Sequence, residues 1–186
     1  MRKVLTLLSL LAALAMPAAA QDRPVLVLEI AGESNGTVEI LLGPDKAPKH
    51  VERLVTLARQ GAYDGVVFHR VIDGFMAQTG DVQHGRRGGD LSRAGTGGSN
   101  LPDLPAEFSQ LPFGRGTLGM ARSQSPNSAN SQFFITFERA SHLNGQYTVV
   151  GRVVKGMEVI DRIKRGTGPN GAVRGEPDYI KSARVK

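Results

Sequence analysis

The stretch VVFHRVIDGFMAQTGD, residues 66–81, decides how the rest of the chain is read. It is rich in apolar residues, yet Arg70 sits within it, with His69 before it and Gln78 after it. A buried charge without a partner is costly. Arg70 therefore either pairs with a nearby acid, Asp73 or Asp81, or borders something that uses it. Alternation leaves both readings open, because Phe68, Arg70 and Ile72 fall on one face of an extended segment. Asp73-Gly74 predicts a tight turn. The chain then doubles back and brings Phe75, Met76 and Gln78 close to His69 and Arg70. An apolar patch with one cation and one amide at its edge has the make-up of a ligand site.

Period-two patterning extends outward from this hairpin. Eight strands are predicted: 25–30, 37–42, 66–72, 75–80, 116–121, 132–137, 147–154 and 179–186. VLVLEI and TVEILL flank AGESNG, which suits a hairpin turn. Two segments read as helices. In APKHVERLVTLARQG, Val51, Leu54, Val55 and Ala58 form an i, i+3, i+4, i+7 stripe between Pro48 and Gly61. In MEVIDRIKRG, Met157, Ile160 and Ile163 share a face. Many strands with two flanking helices predict a mainly β chain, closed or nearly closed into a barrel with helical caps. Residues 81–115, rich in glycine and proline, predict a long irregular segment of the kind that is often functional. SQSPNSANS, residues 123–131, is a second loop of turn-formers.

The 186 residues, 40% hydrophobic, suffice for one packed domain. Residues 1–20 read as a secretory signal peptide. Arg2 and Lys3 form the basic start, 4–16 the apolar run, Pro17 a break and Ala18-Ala19-Ala20 the cleavage pattern. The run is too short to span a membrane. Residues 21–186 then form a single domain, exported, with a bacterial periplasm as the expected destination and no stable membrane anchor. Losing Arg2 and Lys3 takes the formal charge from +6 to +4. The basic residues are scattered, and the richest cluster, Arg86, Arg87 and Arg93, reads as a solvated face, so nucleic acid is not an expected partner. Absence of cysteine excludes disulfides and thiolate chemistry.

The four histidines, His50, His69, His84 and His142, show no ligand spacing, and neither metal nor cofactor is expected. Serines, His69 and Asp81 are present without a G-x-S-x-G elbow, and spacing alone leaves a hydrolase triad open. The GTGG at 95–98 lacks the Lys-Ser/Thr pair of a phosphate loop and reads as a tight turn.

GVVFHRVIDGFMAQTGD resembles the signature of the cyclophilin-type peptidyl-prolyl cis-trans isomerases. AGTGG (94–98), LPAEF (104–108), GTLGMARS (116–123), PNSANSQFFITF (126–137) and LNGQYTVVGRVVKGMEVID (143–161) follow the family in order. The resemblance covers nearly all of residues 25–186. It implies a closed eight-stranded antiparallel β-barrel capped by two α-helices, monomeric by default, acting on unfolded or flexible Xaa-Pro segments. It implies catalytic roles for Arg70, Gln78 and Phe75, with Arg70 donating to the twisted proline nitrogen and Gln78 orienting it. Phe75, Met76, Phe134 and Leu143 would hold the proline ring. Ala121, Arg122 and Gln132 would line the groove for preceding residues, with His69, His142 and Tyr147 completing the substrate contacts.

Three positions depart from many family members. His142 stands where a tryptophan supports cyclosporin binding, so weak cyclosporin binding at most is expected. Tyr147 replaces a pocket histidine. Arg122 replaces an asparagine, an exchange expected to favour acidic residues near the substrate proline. The loop around residues 82–93 is longer than in the smallest members. A non-catalytic proline-peptide-binding chaperone module is the second reading, against which Arg70, Phe75, Met76, Gln78 and Phe134 stand together.

Overall fold

The computed structural model describes residues 23–186. The proposed signal peptide lies outside them. No helix among the described residues is long and apolar enough to cross a membrane.

Strands β1 (Val25–Ala31) and β2 (Gly36–Leu42) form the expected hairpin. Leu26, Leu28 and Ile30 alternate inward, as do Val38, Ile40 and Leu42 opposite them. Helix α1 (Pro48–Arg59) follows, then β3 (Val66–Val67), β4 (Arg70–Ile72), β5 (Met76–Thr79), β6 (Thr117–Met120), β7 (Phe133–Thr136), β8 (Val149–Lys155), α2 (Met157–Asp161) and β9 (Tyr179–Val185). All nine strands join one antiparallel sheet, ordered β3-β9-β1-β2-β8-β6-β7-β5-β4.

This corrects the expected closed eight-stranded barrel. The predicted strand 66–72 is broken at Phe68-His69, and its halves form opposite edges of a curled, open sheet. The break has a physical cause. The Phe68 amide donates to the Asp178 carbonyl (2.8 Å), and the His69 carbonyl accepts from the Val173 amide (3.0 Å). The 172–178 segment thus takes the bonds a continuous ladder would have used. The break also separates two side chains that one strand would have put on one face. Phe68 enters the main core, while Arg70 faces outward.

The helices differ from expectation in detail. Leu57, not Val55, completes the buried stripe of α1, which also buries His50 and Arg53. The Arg53 guanidinium donates to the carbonyls of Pro102 (2.7 Å) and Asn130 (3.4 Å). Helix α2 spans five residues rather than ten. The chain leaves it because the Lys164 amide bonds the Asp178 carboxylate (2.7 Å) and the Gly166 amide bonds the Val71 carbonyl (2.9 Å). Arg86 and Arg87 lie exposed but tied down. Arg86 donates to the Ala62, Asp64 and Val82 carbonyls, and Arg87 stacks over Tyr179.

Residues 81–115 contain no helix and no strand, yet side chains hold them in place. Asn130 takes the Ser99 amide and hydroxyl on its oxygen and gives its amide hydrogens to the Leu101 carbonyl and Asp103. Glu107 reaches the start of α1, where Ala47 offers no side-chain cap. Its carboxylate accepts the Lys49 and His50 amides (3.2 and 3.1 Å) and the buried His50 Nδ1–H (2.7 Å). Anions at a helix N-terminus satisfy its orphan amides and oppose its dipole.

Burial would raise the Glu107 pKa, but these donors hold it below its usual value. A depressed carboxylate stabilises the fold above its unfolded pKa, and that stability is lost as pH falls through its folded one. Glu107→Gln is therefore expected to cost about 2 kcal/mol near neutral pH. In urea titrations, the gap between Glu107→Gln and the parent chain should shrink as pH drops below about 4. A pH-independent gap contradicts the cap.

Candidate active site

The β4–β5 hairpin turns at Asp73-Gly74, with the Phe75 amide donating to the Ile72 carbonyl (3.0 Å). Its register pairs Arg70 with Gln78, Val71 with Ala77 and Ile72 with Met76. Val71 and Ala77 are buried in the main core. Residues on the other parity face outward, so Arg70 and Gln78 lie side by side. The row continues from Gln78 to Phe134 on β7 and from Phe134 to Gly119 on β6. A cation, an amide, an aromatic ring and a glycine thus line up across four strands.

Phe133 and Phe134 show the same alternation. Phe133 points inward and meets Tyr63 edge-on (5.5 Å), while Phe134 points outward onto Phe113 (5.7 Å) and Tyr147 (5.9 Å). A second apolar cluster forms there from Met76, Phe113, Phe134, Ala140, Leu143 and Val149, with Ile72, Phe75, Ala121 and Tyr147 against it. Gly119 makes room for the rings, since a Cβ there would lie 2.6 Å from both Phe113 and Phe134.

A cavity of about 260 Å³ opens over this cluster. Arg70, Phe75, Met76, Gln78, Ala121, Arg122, Phe134, His142, Leu143 and Tyr147 line it. Ten of the twelve residues expected from the sequence therefore meet in one place. Gln132 borders an adjoining cavity of about 470 Å³ with the 95–99 loop. His69 borders a third beside Arg70. Gln78 and Arg122 edge all three.

Arg70 is half-buried, and no carboxylate among the described residues pairs with it. Asp73 binds Arg165 instead (2.8 Å). Asp81 turns into the loop. The Arg70 guanidinium donates through Nη1 to Gln78 Oε1 (3.0 Å), through Nε to the Asn170 carbonyl (3.0 Å) and through Nη2 to Asn170 Oδ1 (2.9 Å). Three of five N–H groups are used, leaving one on each terminal nitrogen. Partial burial draws its pKa down, opposed by Tyr147. Guanidinium nonetheless stays charged at any working pH.

Gln78 donates onward to Gln132 (3.0 Å), and Gln132 to the carbonyls of Gly95 (3.0 Å) and Gly97 (2.8 Å). The amides of those same glycines donate to the buried Asp81 carboxylate (2.8 and 3.0 Å), which also accepts from Gln83 and His84. The GTGG turn is thus pinned on both sides. Burial would raise the Asp81 pKa, but the four amides hold it low.

His69 is 8% exposed, and neither ring nitrogen has a partner. Burial, aided by Arg70 and opposed by Asp81, lowers its pKa to about 4. A neutral, unpartnered ring beside Gly95 is a wall rather than a base for a triad. Arg122 makes four bonds, to the carbonyls of Ser123, Gln124 and Gln146, and stacks over Tyr147 at 4.4 Å. Its fork is turned into the loops, and that leaves little of it free for the expected recognition of acidic residues. His142 tilts against Phe75 (5.3 Å).

Sequence reasoning missed Phe113, Gly119 and Asn170. Phe113 lies in the stretch read as irregular. Pro169-Asn170-Gly171 signals a turn, but not one 100 positions from its target.

The family described as cyclophilin type peptidyl-prolyl cis-trans isomerase/CLD has a sequence model that matches residues 26–185. The chain belongs to this family. It is accordingly an isomerase. Among curated relatives, a probable peptidyl-prolyl cis-trans isomerase from Brucella suis is 58% identical over 171 residues, covering 90% of this chain and 85% of its own. Peptidyl-prolyl cis-trans isomerase A from Dickeya dadantii is 38% identical, covering 98% and 94%. The crystal structure of cyclophilin AquaCyp293 from Hirschia baltica superposes with a TM-score of 0.70 at 25% identity, covering 87% of this chain and 73% of that one. A Cryptosporidium parvum cyclophilin type isomerase, in the presence of the dipeptide Ala-Pro, superposes with a TM-score of 0.72 at 25% identity, covering 87% and 98%.

Each amide bond to a carboxylate contributes roughly 1.5–3 kcal/mol. Asp81→Asn, which cannot accept all four, is expected to destabilise the cyclophilin fold by about 3 kcal/mol. It should also speed hydrogen exchange at the Gly95 and Gly97 amides selectively. Unchanged protection at both would contradict the pinned turn.

Proposed function

We propose that the Arg70 row catalyses rotation about Xaa-Pro bonds in unfolded or flexible polypeptides. The observation that carries this reading is the half-buried guanidinium, unpaired with any acid among the described residues, with two N–H groups left beside a cavity floored by Phe75, Met76, Phe134 and Leu143. The related cyclophilin crystallised in the presence of Ala-Pro supports a proline-containing ligand for that cavity.

Rotation breaks amide resonance, with an uncatalysed barrier of about 18–20 kcal/mol. As the bond twists, the proline nitrogen pyramidalises and gains a lone pair. Arg70 donates to it there, and not in the planar ground state, where nitrogen is a poor acceptor. Such an interaction lowers the barrier because it exists only in the transition state. No covalent bond forms or breaks. Phe75, Met76, Phe134 and Leu143 grip the ring; Ala121, Gln132 and the pinned 95–97 turn hold the chain before it. Gln78 joins the two halves, since it takes the Arg70 hydrogen and gives its own to Gln132.

One charge-assisted bond is worth roughly 1.5–3 kcal/mol. A rate gain of about 10⁵ requires about 7 kcal/mol. The grip on the backbone and on the proline ring supplies the remainder. The apolar N-terminal segment and the alanines before Gln21 support export and, with it, a role in the folding of exported, periplasmic proteins. His142 in place of tryptophan supports weak cyclosporin binding.

Arg70→Ala is expected to lower kcat/KM for an Xaa-Pro peptide roughly a hundredfold, with the melting temperature little changed. Arg70→Lys keeps the charge but cannot span Gln78 and Asn170, and should recover only a small part. Equal rates for parent and Arg70→Ala, followed by NMR exchange, would sink this mechanism.

A further inference from the structure

The segment from Gly166 to Val173 runs along the open edge of β4. The Gly166 amide donates to the Val71 carbonyl (2.9 Å), the Val173 amide to the His69 carbonyl (3.0 Å), and Ala172 bridges Arg70. Contact is close enough that a Cβ on Gly171 would lie 2.4 Å from Ile72 Cγ1. At the crest of this segment stands Asn170, with φ 53° and ψ 29°, the one non-glycine residue of positive φ among the described residues. Asparagine tolerates this left-handed conformation better than most residues. A residue held in a sparsely populated region calls for a reason.

The reason lies in what the conformation presents. The Asn170 carbonyl accepts from Arg70 Nε (3.0 Å) and its Oδ1 from Arg70 Nη2 (2.9 Å). One residue thus offers two oxygens to one edge of the guanidinium, the arrangement a carboxylate uses. Here neither oxygen carries a charge.

We propose that Asn170 is the positioning residue of Arg70, a neutral stand-in for a carboxylate that orients the guanidinium without neutralising it. The inference rests on the catalytic reading of Arg70. A carboxylate would supply the same geometry but would screen the positive field offered to the proline nitrogen. Gln78 holds the other side of the fork through Nη1, again with a neutral oxygen. Both anchors fix the plane, and both leave the charge for the substrate. Asn170 is itself exposed, so its replacement opens no core.

Two variants separate orientation from charge. Asn170→Gly keeps the left-handed turn and the main-chain oxygen but removes Oδ1. Asn170→Asp keeps both oxygens and adds a charge. Each should lower kcat about tenfold with KM within twofold of the parent. The ¹⁵N–¹H signal of Arg70 Nε, assigned by its loss in Arg70→Ala, should shift and broaden in Asn170→Gly. It should stay sharp in Asn170→Asp. Parent kcat and an unmoved Nε signal in Asn170→Gly would overturn the positioning role. Parent kcat in Asn170→Asp would overturn the need for neutrality. Failure of the catalytic reading itself would show as an active Arg70→Ala, whatever the Nε signal reports.

Discussion

A guanidinium held half-buried without a counter-charge is the constraint on which this site depends. The fold contains acids that could have neutralised Arg70, and it directs each elsewhere. Asp73 is drawn to Arg165, and Asp81 is enclosed by four backbone amides. Neutral oxygens from Gln78 and Asn170 then satisfy the fork. Removing a charge from water without pairing it is unfavourable, and neutral hydrogen bonds offset only part of that cost. Two N–H groups of the fork are thereby left facing the cavity.

Around it, side-chain hydrogen bonds take the place of secondary structure in the long 81–115 segment. Asp81, Asn130 and Glu107 each bind two or more backbone groups across wide gaps in sequence. These clamps fix the loop backbone through side chains, while leaving the Gly95 and Gly97 carbonyls free for Gln132. The apolar floor is built differently. Strand alternation at Phe133-Phe134 supplies one ring to the core and the next to the cavity. Core stability and site shape thus come from consecutive residues on opposite faces of β7.

Much of this architecture is legible in the sequence. The alternation in 25–30 and 37–42 predicted both strands and their inward residues, because burial of one face imposes period two. The Asp73-Gly74 turn placed Arg70 against Gln78. Motif order placed Phe75, Met76, Ala121, Arg122, Phe134, His142, Leu143 and Tyr147 around one cavity. Other readings failed for reasons of partnership. Phe68 and Arg70 looked like neighbours on one face because nothing local shows that Asp178 and Val173 take the bonds that break the strand. The second helix looked twice its length because its apolar spacing continues through Ile163. Asp178 ends it, from outside the segment.

The sequence by itself determined the strand-rich class, the hairpin with Arg70 opposite Gln78 and the family of isomerases to which the chain belongs. These follow from local turn chemistry, periodicity and ordered motifs, all of which act over a few residues. Only the tertiary structure decided that the sheet stays open at β3 and β4. It also decided that Asp81 serves the loop rather than Arg70, and that Asn170 reaches Arg70 from a turn far along the chain. Those outcomes depend on which of several nearby donors and acceptors pair. That competition is settled by packing across long sequence separations, where no local pattern leaves a trace.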